Sequence, residues 1–255
     1  MKIQASSKTG YLASFSLLVA LVVSGCRAPE VHTASRQQVE KARQVLLTEQ
    51  LRTKQTQQAM TPQQVLRELQ AGNTRFVEGQ PRVRDVRAMV KGTARDQFPM
   101  AIVLSCIDSR QPVELIFDKT IGDIFSARVA GNVLNEDILG SMEFACRVAG
   151  ARLVAVVGHS NCGAVKGACD DVVLGNITPM VNKIKPAIAD VPANVQPRTS
   201  NNAEFVDRVA SAHVERVVQQ VRNQSPILRE MERNGEIMII GGMYDLTTGR
   251  VMFDQ

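Results

Sequence analysis

The chain has 255 residues, 44% of them hydrophobic and 22% charged, with a formal net charge of +5 and no tryptophan. That length holds one substantial domain plus a leader and an arm, and the balance is that of a folded protein rather than a disordered one. The basic residues are scattered, and losing residues 1–25 with Lys2 and Lys8 leaves only +3, so the charge argues against a nucleic-acid partner. Sparse aromatics point to a core of Val, Ile, Leu, Ala and Met built around a sheet.

In chain order, residues 1–25 open with two lysines, continue with an apolar stretch over 11–23, and end in small residues. This is the plan of a secretory signal peptide, and the stretch is shorter than the roughly 20 residues a membrane span needs. Val23-Ser24-Gly25-Cys26 resembles the lipobox of bacterial lipoproteins, in which the leader is cut before the cysteine and Cys26 is acylated. Several acyl chains hold a protein to a bilayer stably. Periplasmic or other extracytoplasmic placement on a membrane is therefore expected. Arg27, not Asp, follows the cysteine, which leaves inner and outer membrane both open.

Residues 36–58, rich in Gln, Arg, Glu, Lys and Leu and free of Gly and Pro, predict an exposed arm helix with a thin stripe at Val39, Leu46, Leu47 and Leu51. Thr61-Pro62 predicts a helix start, with Thr61 as N-cap and Pro62 at the first helical position, running to about Glu78. Continuous apolar runs at 100–105, 123–130, 152–158 and 237–244 predict strands buried on both faces, and 250–253 a short edge strand. Helices are expected over 138–149, 163–174, 178–188, 202–222 and 226–234. Strands separated by helices imply an α/β fold with a mostly parallel, four- to five-stranded central sheet flanked by helices.

Of five cysteines, Cys146 and Cys169 fall inside predicted helices, where cysteine serves as a small hydrophobe. His213 falls on a polar helix and is expected at the surface or as a cap. Cys106 ends the first strand, in Cys106-Ile107-Asp108-Ser109-Arg110. His159 ends the third, in His159-Ser160-Asn161-Cys162. Ligands of parallel sheets bind beyond the carboxyl ends of strands, so Cys106, His159 and Cys162 converge if those strands are neighbours. Two thiolates and one imidazole suit Zn²⁺ with one coordination position open, whereas a structural site wants four protein ligands.

The two signatures C-x-D-S-R and H-x-x-C, in this order and separation, resemble those of the β-class carbonic anhydrases over roughly residues 62–255. Ala71-Gly72-Asn73-Thr74-Arg75-Phe76 and Arg128-Val129-Ala130-Gly131-Asn132 add to the resemblance. With the leader and the arm read above, the chain divides into a signal peptide at 1–25, a helical tether at 26–60 and a catalytic domain at 61–255, the last being the part the resemblance covers. The resemblance implies one zinc ion per subunit on Cys106, His159 and Cys162, with Asp108 and Arg110 as the catalytic pair beside it. Gln97, Phe125, Val129 and Tyr244 match substrate-binding positions, Gln97 acting on the neighbouring subunit's zinc. The implied reaction is reversible hydration of CO₂ to bicarbonate and a proton, in a homodimer or larger even oligomer.

Ile107 replaces the usual serine; strand alternation points it away from Cys106 and Asp108. Val103 stands where allosteric members carry tryptophan, so an open, non-allosteric site is expected. Two rivals share these residues: a CS₂ or COS hydrolase on the same scaffold, and a non-catalytic zinc- or bicarbonate-binding lipoprotein. The second predicts a broken Asp–Arg pair or a lost ligand.

Overall fold

A computed structural model describes residues 35–39, 41 and 51–254. Cys26 and the leader lie outside them, as do residues 42–50 of the expected arm. No helix among the described residues is long and apolar enough to cross a membrane.

The arm is not one helix. Residues 36–39 are helical, but Thr53 is extended (φ −108°, ψ 166°) and caps a separate helix, α1 (Lys54–Gln58). The Thr53 hydroxyl accepts the Thr56 N–H at 3.2 Å, and the Thr56 hydroxyl accepts the Thr53 N–H at 2.9 Å. A capping residue must leave helical φ/ψ, so this reciprocal cap interrupts the pattern that residue composition alone would continue. Arg52 meanwhile turns toward Asp123, 3.9 Å away. Buried Gln57 then fastens the segment down, donating to the carbonyls of Pro99 and Ala149, each at 2.8 Å.

Helix α2 (Pro62–Val77) starts as expected: Thr61 accepts from Gln64 N–H at 3.2 Å and the Gln64 side chain accepts from Thr61 N–H at 2.7 Å. Its Gly72 presses against the loop at Phe117; a Cβ there would stand 1.8 Å from the Phe117 carbonyl oxygen. The adjacent Asn73 bridges distant segments, donating to Gly249 O at 2.8 Å and Ile116 O at 3.2 Å and accepting from Val251 N–H at 2.8 Å. Helix α3 (Val86–Gly92), capped by Asp85, was not anticipated; with Val86 and Val90 exposed and only Met89 buried it has no strong stripe to read.

The sheet joins β1 (Ala101–Ser105), β2 (Ile124–Arg128), β3 (Leu153–His159), β4 (Met238–Tyr244) and β5 (Val251–Phe253) in the order β2-β1-β3-β4-β5. All pairs are parallel except β4 with β5. This is the expected α/β architecture with five strands. Alternate residues supply opposite faces. Ile102, Leu104, Val154 and Val156 pack with Met142, Val214, Val217 and Leu228, whereas Val103, Ala155 and Val157 pack with Val65, Leu69, Val113 and Phe117. The helices supplying these contacts are α2, α4 (Val113–Ile116), α5 (Glu136–Glu143), α8 (Ala203–Gln224) and α9 (Pro226–Arg233), while α6 (Gly163–Cys169) and α7 (Ile177–Asn182) pack with Cys106, Cys162 and the first turns of α8.

Three expected helices are shorter or divided. The helix placed at 138–149 begins earlier, at Glu136 under an Asn135 cap, and widens into a π turn over Phe144–Val148. That at 163–174 stops at Cys169, after which Asp171 is left-handed (φ 55°). That at 178–188 divides into α7 and a 3₁₀ turn, Lys185–Asp190. Pro186 is the cause, because it lacks the N–H that would continue the ladder.

His213 is also not a surface or capping residue: it is 2% exposed. It falls on the stripe of Val206, Val209, Ala210, Val214 and Val217, and helical periodicity outweighs its polarity. Its Nε2–H donates to the Gly131 carbonyl at 2.9 Å. Burial pushes its pKa down to about 4, only partly opposed by that hydrogen bond. Because the folded value lies below the unfolded one, acid protonates the unfolded chain first. The contribution of neutral His213 is complete above about pH 6.5 and is lost as pH falls toward 4. Urea unfolding of wild type and His213→Gln at pH 7 and about pH 5 should therefore show the difference in stability shifting against the wild type by about 2 kcal/mol. A pH-independent difference contradicts the buried neutral state.

Candidate metal centre

Parallel pairing of β1 with β3 sets Ser105 beside Val157, so the residues that follow leave the sheet side by side. Cys106 is one step beyond β1 and His159 is the last residue of β3. Asn161, left-handed at φ 56° with its N–H held by the Asp207 carboxylate at 2.8 Å, turns the chain back and brings Cys162 to the start of α6. The ligand atoms of Cys106, His159 and Cys162 all lie within 4.8 Å of one another, and all three residues are buried. A tetrahedral zinc site with bonds of about 2.0–2.3 Å sets its donors about 3.5–3.8 Å apart. The cluster is compact enough to close on one ion by small side-chain shifts.

The imidazole is already aimed. His159 Nδ1 lies 2.9 Å from the Ser160 carbonyl, which can only accept, so Nδ1 carries the proton. Nε2 is left with a free lone pair, and it is buried with no hydrogen-bond partner. A buried unpaired acceptor is costly in a native fold, and a metal ion removes that cost. The thiols agree with this reading. Cys106 is pushed down to about 4, first by its hydrogen bond with Cys162 and further by His159 and the Gly131 N–H, against the opposing effect of burial. Cys162 is pushed up by the same contact and by burial, against the pull of the Val165 and Ala164 N–H groups. Together they favour one thiolate and one thiol, and a dication is the natural replacement for that proton. The donor set therefore fits zinc.

Asp108 stands over the cluster, with Oδ2 3.8 Å from His159 Nε2. Arg110 grips it in a bidentate pair, Nε to Oδ1 at 2.9 Å and Nη2 to Oδ2 at 2.7 Å, and its backbone N–H adds a third bond at 3.0 Å. These bonds hold the carboxyl far below the usual carboxylate range. The Arg110 side chain is 54% exposed, so the pair contributes little to stability, and its consequence is the orientation of an ionised Asp108. Ile107 is exposed, away from the buried Cys106.

Several supporting residues were not singled out from sequence. Arg128 donates to the carbonyls of Cys106 at 3.0 Å and Asp108 at 2.6 Å, fixing the backbone of the first signature. Buried Gln111 ties the same loop to the end of β3 through Val157 O and Gly158 O, at 3.1 and 3.2 Å. Gly131 donates its N–H to Cys106 Sγ at 3.3 Å.

The expected substrate-side residues divide. Val129 packs against the cluster that contains Cys106 and Cys162. Tyr244 is buried and is the register partner of His159 on β4, packed with Val103, Ala155 and Val157. Phe125 pairs in register with Ile102, at the far half of β2, and its ring meets Phe144 edge-on at 6.4 Å between centroids. Gln97 is exposed in the loop before β1, at the end opposite Cys106. Within one chain, neither Phe125 nor Gln97 joins the metal cluster. Cys146 is buried and pushed up to about 12, and Cys169 is half-buried; both stand apart from the cluster.

Residues 101–251 match the family model described as Carbonic anhydrase. The chain is 34% identical over 188 residues to Carbonic anhydrase 2 of Mycobacterium tuberculosis, covering 72% of this chain and 88% of that protein. The β-carbonic anhydrase CafA of Aspergillus fumigatus superposes with a TM-score of 0.58 at 27% identity, over 65% of this chain and 80% of that one. The chain belongs to the β-class carbonic anhydrases. A carbonic anhydrase of Mycolicibacterium smegmatis is 33% identical over 190 residues, covering 72% of this chain and 88% of its own length. One of two tetrameric β-carbonic anhydrases from Sordaria macrospora shares the fold, with a TM-score of 0.55 at 23% identity over 63% of this chain and 82% of its own. β-Carbonic anhydrases are zinc-dependent lyases, and the Cys106–His159–Cys162 cluster supplies donors of the right kind for that metal.

Proposed function

We propose that this carbonic anhydrase works outside the cytoplasm, held to a bacterial membrane by a lipid on Cys26, and that Cys106, His159 and Cys162 hold its zinc. The observation that carries the site assignment is the His159 Nε2 lone pair, buried without a partner between two thiols and 3.8 Å from an ionised carboxylate. Zinc there supplies hydroxide near neutral pH, by lowering the pKa of water from about 15.7 toward 7.

The chain's own residues do the rest. Asp108 Oδ2 accepts a hydrogen bond from the attacking oxygen and thereby directs its lone pair at the CO₂ carbon. Arg110 keeps Asp108 ionised and stops it rotating. Val129 gives CO₂, which has no dipole, an apolar wall to rest on, and Tyr244 closes the side next to β4. Gln97 cannot serve its own chain's site from the opposite end of β1, so its side-chain amide donates to a bicarbonate oxygen at a neighbouring subunit. Self-association is supported by the open edge of β2 and by Phe144 and Val148 beside it, which are 51% and 71% exposed. The pairing geometry of Asp108 and Arg110 is intact, which favours a catalytic protein over a non-catalytic binder.

Stopped-flow hydration of CO₂ by protein with counted zinc tests the assignment. Asp108→Asn should keep one zinc per chain while kcat/KM falls about 10- to 100-fold. Cys106→Ser should lose the metal and the activity together. Full activity in either variant, or turnover of CS₂ or COS in place of CO₂ by the wild type, contradicts it. For the anchor, wild type expressed with its leader should sediment with membranes, and Cys26→Ala should be released or left unprocessed. Equal membrane association of both contradicts lipidation.

A further inference from the structure

Two hydrogen bonds in series connect the long helix α8 to the metal cluster. His213 Nε2–H donates to the Gly131 carbonyl at 2.9 Å, and Gly131 N–H donates to Cys106 Sγ at 3.3 Å. Neither direction can be reversed, because a carbonyl oxygen only accepts and a backbone N–H only donates. Gly131 has φ +65°, and a Cβ there would stand 2.6 Å from Ile184 Cδ1 and 3.0 Å from Ala164 Cβ. Asn132 follows at φ 43°. Two consecutive left-handed residues form a turn with little inherent preference for its shape. The turn's backbone bonds, Val129 N–H to Ser105 O at 3.1 Å and Asn132 N–H to Val129 O at 2.9 Å, leave the Gly131 carbonyl to be fixed by a side chain. His213 is that side chain, and helix packing immobilises it from both flanks, with Ala210 and Val214 buried beside it.

We propose that His213 is a positioning residue for the metal centre, fixing the Gly131 carbonyl so that the Gly131 N–H stays on the Cys106 sulfur. The idea rests on Cys106 being a zinc ligand. A thiolate that accepts an N–H bond donates less charge to its metal, and its direction is fixed by that bond. Buried and neutral, the imidazole performs this without adding charge beside the cluster. Its partner on the metal side is the backbone rather than a ligating side chain, which is why inspection of the signatures alone passes over it.

The test compares full-length wild type, His213→Leu and His213→Gln, each loaded with zinc or with Co²⁺. Leu removes the donor, and Gln returns an N–H donor at nearly the same reach. Zinc affinity is read by competition with a chromophoric chelator, and the sulfur-to-cobalt charge-transfer band reports the electron density on the thiolates. His213→Leu should bind zinc about 10-fold more weakly and move the band to lower energy, and His213→Gln should recover most of both. A Leu variant matching the wild type in affinity and spectrum overturns the proposal, as does a Gln variant displaced as far as Leu. If His213→Leu does not fold, His213→Met takes its place, read by the same two outcomes. In ¹¹³Cd-loaded wild type, moreover, the Gly131 amide proton should be coupled to the metal through the Cys106 sulfur, and no coupling overturns the proposal. A wild type that binds no zinc removes the ligand assignment itself, whereas a zinc-filled wild type with unresponsive variants removes only the role of His213.

Discussion

Everything at this site depends on β1 and β3 lying next to each other and running the same way. That pairing sets the carboxyl ends of two strands from distant parts of the chain beside each other, and Cys106 and His159 emerge there facing a common space. Parallel neighbours cannot be joined by a tight turn, so the connection between them is long. In this chain the connection carries β2 and the Gly131 turn, which return to support the cluster through Arg128 and the Gly131 N–H, and α5, which packs under the sheet. The Cys106–His159–Cys162 cluster is therefore a product of topology first and of side-chain chemistry second.

The surroundings of the cluster are fixed almost entirely through bonds to backbone groups. Arg128 holds two carbonyls of the first signature, Gln111 holds two carbonyls at the end of β3, and Ser160 accepts the Nδ1 proton that sets the tautomer of His159. The β4 end is tied in as well, through Ser160 N–H to Tyr244 O at 2.9 Å and Leu246 N–H to the Ser160 hydroxyl at 3.0 Å. Such bonds leave the ligand atoms little freedom. A preorganised donor set needs less reordering when the ion enters. Asp108 adds orientation at one open edge, and its arginine partner sits in solvent where salt and water can reach it without disturbing the buried donors.

The central strands β1 and β3 were legible in the sequence because they are buried on both faces and so read as unbroken apolar runs, whereas β2 and β5, at the sheet edges, are partly exposed and read less cleanly. Cys106 and His159 stood out as candidate ligands because they sit at the ends of such runs, and Cys162 because it follows His159 by three residues. What escaped detection has a common cause: it depends on contacts between residues far apart in sequence. His213 reads as a polar residue on a polar helix until its place on the Val206–Val217 stripe is counted, and its acceptor lies 82 positions away. Gly72 and Asn73 could be quoted as part of a motif, yet only the fold shows that one yields to the Phe117 carbonyl and the other links α2 to β5. The interrupted arm shows the reverse failure: composition favoured helix throughout, and a local Thr53–Thr56 cap overrode it. Pro186 likewise divided a helix that apolar spacing would have continued.

X-ray absorption at the zinc edge of the purified, zinc-loaded protein tests the central claim most directly, because it reads the donor atoms themselves. The account predicts two sulfur neighbours at about 2.3 Å and two nitrogen or oxygen neighbours at about 2.0–2.1 Å. A shell with no sulfur, one sulfur, or more than two contradicts the assignment of Cys106, His159 and Cys162.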